Sequence, residues 1–219
     1  MPASDQWKQI LADSEGELSA VEGNLLSAAR GKELRSLLVT SCRTGEGKST
    51  SAACLAHALA VQGRAKVILV DGDLGDPHLH ELLGVPSAPG LSDVLQGRAR
   101  LDQAVHATEY PRLSVLPSGA SATEVANHLD IQGLGPILKD LVGRFQYIVF
   151  DGGAVQTSSD ACVVGKLFDG VLLVVECEKT KWELLELAKD KISQAGGNVL
   201  GVVLNRRRYY LPRVLYGRV

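Results

Sequence analysis

The sequence predicts an α/β protein with a doubly wound, mostly parallel β-sheet and helices on both faces. Six short aliphatic segments recur along the 219-residue chain, and helix-like segments separate most of them. The aliphatic segments are nearly continuous rather than alternating, which is typical of strands buried on both faces of a parallel sheet. Right-handed βαβ units bring the carboxyl ends of such strands to one edge, where ligands bind.

The predicted elements alternate in chain order. Runs of aliphatic and β-branched residues predict strands at 37–41, 66–71, 113–116, 147–151, 171–176 and 199–205. Segments of helix-like composition predict helices at 48–62, 131–142, 160–168 and 181–194. Residues 86–89 and 196–197 are rich in Pro or Gly and predict turns or loops. We expect a helical arm at 1–34, an α/β domain at 35–205 and a basic tail at 206–219.

The composition excludes several classes of protein. Hydrophobic residues make up 45% of the chain and charged residues 22%, which is ordinary for a globular domain and argues against disorder. No apolar run approaches the roughly 18 residues of a membrane-spanning helix, and the N-terminus lacks the pattern of a secretory signal. The net charge of −2 gives no reason to expect nucleic-acid binding. The four cysteines fit no zinc spacing, which predicts reduced thiols in a cytosolic setting.

The strongest motif lies between the first strand and the first long helix. There the chain reads TGEGKST at 44–50, with Gly45 and Gly47 ahead of Lys48 and Ser49. Glycines let backbone N–H groups turn toward phosphate oxygens, and the positive end of the new helix adds to the attraction. Lys48 would reach the β- and γ-phosphates, and Ser49 would place its hydroxyl on Mg²⁺. Although Cys42 stands where the usual pattern has glycine, the strand–loop–helix context predicts a P-loop NTPase fold.

Carboxylates end two further predicted strands. Asp71 and Asp73 follow one of them, and Asp151 ends the other. Beside a phosphate loop, such carboxylates hold Mg²⁺, directly or through water, or accept a proton from the attacking nucleophile. A single aspartate at a strand end is more often a turn or cap residue. Three at one sheet edge favour a functional role.

Further segments carry a resemblance to a known family. After Asp73 the chain reads LGDPHLH at 74–80, GLSDVLQG at 90–97, LSVLPSG at 113–119 and DGVLLVV at 169–175. In this order, and with tyrosines in the tail, the segments resemble the bacterial tyrosine kinases. These are autokinases of capsule and exopolysaccharide systems within the MinD/ParA-like class of P-loop ATPases. The resemblance covers 37–205 and the tail.

The resemblance implies roles for the matching residues and implies ATP or ADP and Mg²⁺ as cofactors. The implied catalytic residues are Lys48, Asp71, Asp73 and Asp151, and the implied metal-holding residues are Ser49, Asp73 and Asp151. The implied nucleotide-binding residues are Thr44, Gly45, Glu46, Gly47, Lys48, Ser49, Thr50 and Asn205. The implied phosphoacceptors are Tyr209, Tyr210 and Tyr216. Asn205 would read the adenine edge, since an amide offers both a donor and an acceptor; a simple turn residue is the alternative.

The chain departs from the family pattern at two places near the predicted site. Gly75 and Asp76 stand where the family usually carries a basic residue before the proline, and Gly152 and Gly153 stand where it usually reads Thr-Pro-Pro. The arm also lacks the family's arginine motif, and the tail has three tyrosines rather than a long run. These departures bear on phosphoryl transfer and on ring assembly.

The resemblance implies an ATP-dependent protein-tyrosine kinase that transfers the γ-phosphate of ATP to its own C-terminal tyrosines. Two alternatives stay open. One is a non-kinase regulatory ATPase that switches association with a membrane polysaccharide co-polymerase, and the other is a MinD/ParA-type positioning ATPase. The implied partner is a membrane polysaccharide co-polymerase or adaptor, with homo-oligomerisation left open and no nucleic acid expected. The implied location is cytoplasmic, peripheral at the inner face of the cell membrane.

Overall fold

The computed structural model describes residues 7–12, 33–120, 131–157 and 160–207. One seven-stranded sheet runs through these ranges in the order β3-β4-β2-β5-β1-β6-β7. The strands are β1 (Ser36–Ser41), β2 (Val67–Gly72), β3 (His106–Ala107), β4 (Leu113–Leu116), β5 (Tyr147–Gly152), β6 (Gly170–Glu176) and β7 (Val199–Asn205). Neighbouring strands are parallel except β3 and β4, which pair antiparallel.

Helices cover both faces of the sheet. They are α1 (7–12), α2 (Lys48–Val61), α3 (Leu79–Leu83), α4 (Leu91–Leu95), α5 (Leu101–Ala104), α6 (Ile131–Arg144), α7 (Asp160–Val164) and α8 (Trp182–Gln194), with a 3₁₀ turn at Gly165–Leu167. One apolar cluster packs α1, α2 and α3 against one face, and a second packs α4 to α8 against the other. All six residues of β1, which lies between β5 and β6, are therefore buried, which explains its continuous apolar run.

The predicted fold class is confirmed, and each predicted strand lies within one residue of its observed bounds. The predicted helix at 160–168 is a short α-helix followed by the 3₁₀ turn. The structure adds α3, α4, α5 and β3, which the sequence did not predict. These elements have two to five residues, too few to show a helical or strand period. No helix in the described part of the chain is long and apolar enough to cross a membrane.

The pairing of β1, β2 and β5 assembles one functional edge. Asp71 of β2 lies beside Asp151 of β5 in register, and Asp151 in turn lies beside Val39 of β1. Because these three strands are parallel, the loop that follows β1 emerges at the same edge as both carboxylates.

Candidate functional site

The loop between β1 and α2 has the backbone of a phosphate cradle. Gly45 and Gly47 have φ angles of +85° and +88°, in the left-handed region that favours glycine. A Cβ added at Gly45 would meet no atom within 4 Å, so open space lies against the loop at that point. Since α2 begins at Lys48, the N–H groups of its first turn face the loop. The loop thus fits a phosphate chain.

Lys48 lies at the centre of the site and is buried. Its Nζ is 2.5 Å from Asp73 Oδ2 and 3.7 Å from Asp151 Oδ1, and it donates to Ser49 Oγ at 3.1 Å. Burial alone would lower the pKa of Lys48, but the charges of Asp151 and Asp73 outweigh it and leave that pKa raised. Lys48 is therefore an ammonium ion held beside the loop.

Asp71 is fully buried and has a free carboxylate oxygen. Its Oδ2 accepts a hydrogen bond from the Leu79 backbone N–H at 3.2 Å, whereas Oδ1 has no partner among the described residues. Burial and the nearby Asp151 raise the pKa of Asp71 well above its usual value. A buried carboxylate with an unpaired oxygen and a raised pKa is suited to accept a proton.

Asp151 is also buried, and neither of its carboxylate oxygens has a hydrogen-bond partner among the described residues. Burial raises its pKa to about 6, with Lys48 opposing the shift. Unsatisfied carboxylate oxygens near the Ser49 hydroxyl fit Mg²⁺, which keeps several waters and takes few protein ligands. No group of three or more His, Cys, Asp or Glu that could hold a metal occurs in the described ranges. The donor set therefore suits a cation shared with phosphate oxygens.

The two glycines that follow the strand-end carboxylates differ in how tightly their surroundings pack. A Cβ at Gly72 would collide with the ring of Phe150, and one at Gly152 would lie 2.8 Å from Leu38 Cδ1. Both positions pair in register at the ends of β2 and β5. Packing therefore requires glycine at position 72, whereas at Gly152 the close atom is the end of a leucine side chain that can shift. Gly153 accepts a hydrogen bond at its carbonyl from the Thr40 hydroxyl at 2.7 Å.

The second departure forms an exposed turn beside the site. The Asp76 backbone N–H donates to the Asp73 carbonyl at 3.1 Å, which closes the turn after β2. The exposed Asp76 carboxylate lies 3.2 Å from Nε2 of His78. The turn that follows Asp73 thus carries an acidic side chain, that of Asp76, rather than a basic one.

Glu46 and Asn205 contact each other at the base of the loop. Asn205 Nδ2 donates to the Glu46 carbonyl at 2.8 Å, and its Oδ1 accepts from the Arg206 backbone N–H at 2.8 Å. The amide keeps one further N–H and one further lone pair. The reading of adenine by Asn205 stays a prediction. The Glu46 side chain bonds to Thr180, a residue that sequence reasoning missed because the two are 134 positions apart.

The structure brings together the loop at 44–50, the three aspartates and Asn205, all at one edge of the sheet. Thr44 is exposed, and Ser49 and Thr50 are half-buried in the first turn of α2. The predicted phosphoacceptors Tyr209, Tyr210 and Tyr216 lie outside the described residues.

No family model matches the chain, but several individual proteins do. It is 31% identical over 188 residues to the tyrosine-protein kinase YwqD of Bacillus subtilis, covering 86% of this chain and 79% of that protein. It is 32% identical over 177 residues to the tyrosine-protein kinase CpsD of Streptococcus agalactiae, covering 80% and 76%. The succinoglycan biosynthesis transport protein ExoP of Rhizobium meliloti is 28% identical, covering 80% of this chain and 23% of that protein.

Solved structures with the same fold include a chimerical protein and a cell division ATPase. The chimerical protein CapA2B2 aligns with a TM-score of 0.80 and 30% identity, covering 88% of this chain and 84% of its own. The cell division ATPase MinD of Pyrococcus furiosus aligns with a TM-score of 0.68 and 32% identity, covering 84% and 73%.

Proposed function

The chain belongs to the family of bacterial tyrosine-protein kinases, and we propose that it transfers the γ-phosphate of ATP to tyrosines of its own C-terminal tail. The acceptors in this proposal are Tyr209, Tyr210 and Tyr216, in the basic segment 206–219 that follows the α/β domain at 35–205.

The buried Asp71 carries the proposal. Its free Oδ1 lies at the sheet edge that also holds Lys48, so a proton acceptor and a cation for phosphate share one site. Simple nucleotide binding needs the loop and Lys48 but no buried carboxylate with a raised pKa. Proton transfer from an attacking hydroxyl does need one.

Each residue then has a role in the transfer. The backbone N–H groups of 44–50 hold the phosphates, and Lys48 stabilises negative charge on the transferred group. As the tyrosine oxygen forms its bond to the γ-phosphorus and ADP leaves, Asp71 Oδ1 takes the tyrosine proton. Ser49, Asp73 and Asp151 would hold Mg²⁺, which supplies charge neutralisation on the phosphate oxygens when bound. Asn205 is proposed to contact the adenine with its remaining hydrogen-bonding groups.

Phosphopeptide mapping after incubation with ATP and Mg²⁺ tests the proposal. We expect phosphate on Tyr209, Tyr210 or Tyr216 of the wild type and none on Lys48→Met, because that variant loses the cation for the transferred phosphate. Lys139→Met is the matched control, since Lys139 is an exposed residue of α6. Bound nucleotide without tail phosphate in the wild type would contradict kinase activity.

A second candidate is a nucleotide-dependent switch without tyrosine transfer. The likeness to MinD of Pyrococcus furiosus and the acidic turn at Gly75–Asp76 favour it. Such a regulatory ATPase, or a positioning ATPase of the MinD/ParA type, would hydrolyse ATP slowly and leave the tail unmodified. The same mapping experiment separates it from the kinase.

We also propose a partner and a location. The similarity to ExoP, a transport protein of succinoglycan biosynthesis, supports work in exopolysaccharide or capsule biosynthesis. The membership of the tyrosine-protein kinase family supports a polysaccharide co-polymerase or adaptor in the membrane as the partner. The chain would then lie at the inner face of the cell membrane.

A further inference from the structure

The phosphate loop contains a buried carboxylate, that of Glu46. Glu46 is 4% exposed. Its Oε2 accepts the Arg43 backbone N–H at 2.9 Å, and its Oε1 accepts the hydroxyl proton of Thr180. A carboxylate is costly to bury unless it is hydrogen-bonded, so these contacts define where Glu46 can lie.

Thr180 is itself fixed by the chain that follows β6. Its Oγ1 accepts the Glu176 backbone N–H at 3.1 Å, and its own backbone N–H donates to the Glu176 carbonyl at 3.0 Å. A hydroxyl that accepts an N–H still has its one proton to give. The Thr180 proton is therefore directed at Glu46.

A third contact fixes the same residue from β7. Asn205 Nδ2 donates to the Glu46 carbonyl, and its side chain fills the place that a Cβ on Gly47 would take. Thr180, from the turn after β6, holds the side chain of Glu46, and Asn205, the last residue of β7, holds its backbone. We call Glu46, Thr180 and Asn205 the loop clamp.

The loop has a physical need for such a clamp. Gly45 and Gly47 both adopt positive φ, and glycine visits many other conformations as readily. A loop that adopts its binding shape only part of the time binds its ligand more weakly by that fraction. Interactions that hold the shape before the ligand arrives therefore raise the affinity.

We propose that Thr180 and Glu46 are positioning residues for nucleotide binding. Their hydrogen bond keeps the loop in its phosphate-binding shape without touching phosphate. This inference rests on the proposed nucleotide site and assigns to it a residue from outside the loop and the acidic strand ends.

The test compares two substitutions at Thr180 by titration calorimetry with Mg-ADP. Thr180→Val keeps the shape of the side chain and removes the hydroxyl, and Thr180→Ser keeps the hydroxyl. We expect the Kd to rise about tenfold in Thr180→Val, as for a loop in its binding shape about a tenth of the time, and to stay near wild type in Thr180→Ser. At saturating ATP the turnover of Thr180→Val should return to the wild-type value, because the clamp acts on binding.

Thr108→Val is the matched control. Thr108 also donates its hydroxyl within the chain, to the Leu113 carbonyl at 2.8 Å, but it lies at the opposite end of the sheet. Its Kd should equal the wild-type value. A wild-type Kd in Thr180→Val, or a Kd raised equally in Thr180→Ser, would overturn the clamp. If the wild type itself binds no Mg-ADP, that result contradicts the proposed function and not only the role of the loop clamp.

Discussion

Asp71 and Asp151 show how one sheet edge gives two aspartates different surroundings. They are neighbours in register, and both are buried. Lys48 Nζ lies 3.7 Å from Asp151, whereas Asp71 accepts a hydrogen bond from the Leu79 backbone N–H. Burial raises the pKa of each. Both side chains thus disfavour the folded state at neutral pH, a cost that functional sites commonly carry.

The pKa of Asp151 predicts how stability depends on pH. Its folded value of about 6 lies above the usual 3.8, so the free energy of unfolding falls as the pH rises from about 4 through 6. Asp151→Asn removes this cost. In EDTA and without nucleotide, we expect the variant to exceed the wild type by about 3 kcal/mol at pH 8, with the difference vanishing near pH 4. Urea unfolding at both pH values measures it, and a variant no more stable at pH 8 would refute the assignment.

At the scale of elements, α1 packs on α2, the helix that carries the phosphate loop. Trp7 is 1% exposed, and its ring meets His57 of α2 edge-on at 6.4 Å between centroids. Lys8 lies 3.4 Å from Glu109, which adds an exposed ion pair of little weight. The buried ring therefore carries most of this contact.

Truncating that ring tests the packing of α1. Trp7→Ala leaves a cavity against α2, and we expect a loss of about 3 kcal/mol in the free energy of unfolding. Trp182→Ala is the matched control because Trp182 is 66% exposed; it should change stability by about 0.5 kcal/mol at most. Chemical denaturation followed by far-UV circular dichroism measures both. If Trp7→Ala lowered the free energy of unfolding no more than Trp182→Ala does, the packing of Trp7 against α2 would contribute nothing to stability.

The strands were easier to predict from the sequence than the short helices. The strands at 113–116 and 199–205 were predicted at their observed bounds, because both consist mainly of aliphatic residues between segments of other composition. The helices at 79–83, 91–95 and 101–104 were not, because one turn shows no period. Trp7 was not predicted as a core residue, since a single aromatic side chain in an acidic segment carries no pattern.

For the whole molecule, topology decides which parts of the site can be predicted. Parallel strands collect the loop and the aspartates at one edge, so their proximity followed from the predicted fold. The contact of Glu46 with Thr180 joins residues 134 apart, and that with Asn205 joins residues 159 apart. Neither follows from any motif, because side-chain partners across a fold depend on details of the loops. The clamp therefore became visible only in the structure.

The rate of tail phosphorylation in Asp71→Asn tests the account most directly. The measurement is phosphate on Tyr209, Tyr210 and Tyr216 over time at saturating ATP and Mg²⁺, with Mg-ADP affinity determined in parallel. We expect the wild type to phosphorylate its tail, and Asp71→Asn to do so at no more than about one hundredth of the wild-type rate. The nucleotide affinity of the variant should stay near the wild-type value, because the loop and Lys48 are intact. A wild-type rate in Asp71→Asn would contradict the account.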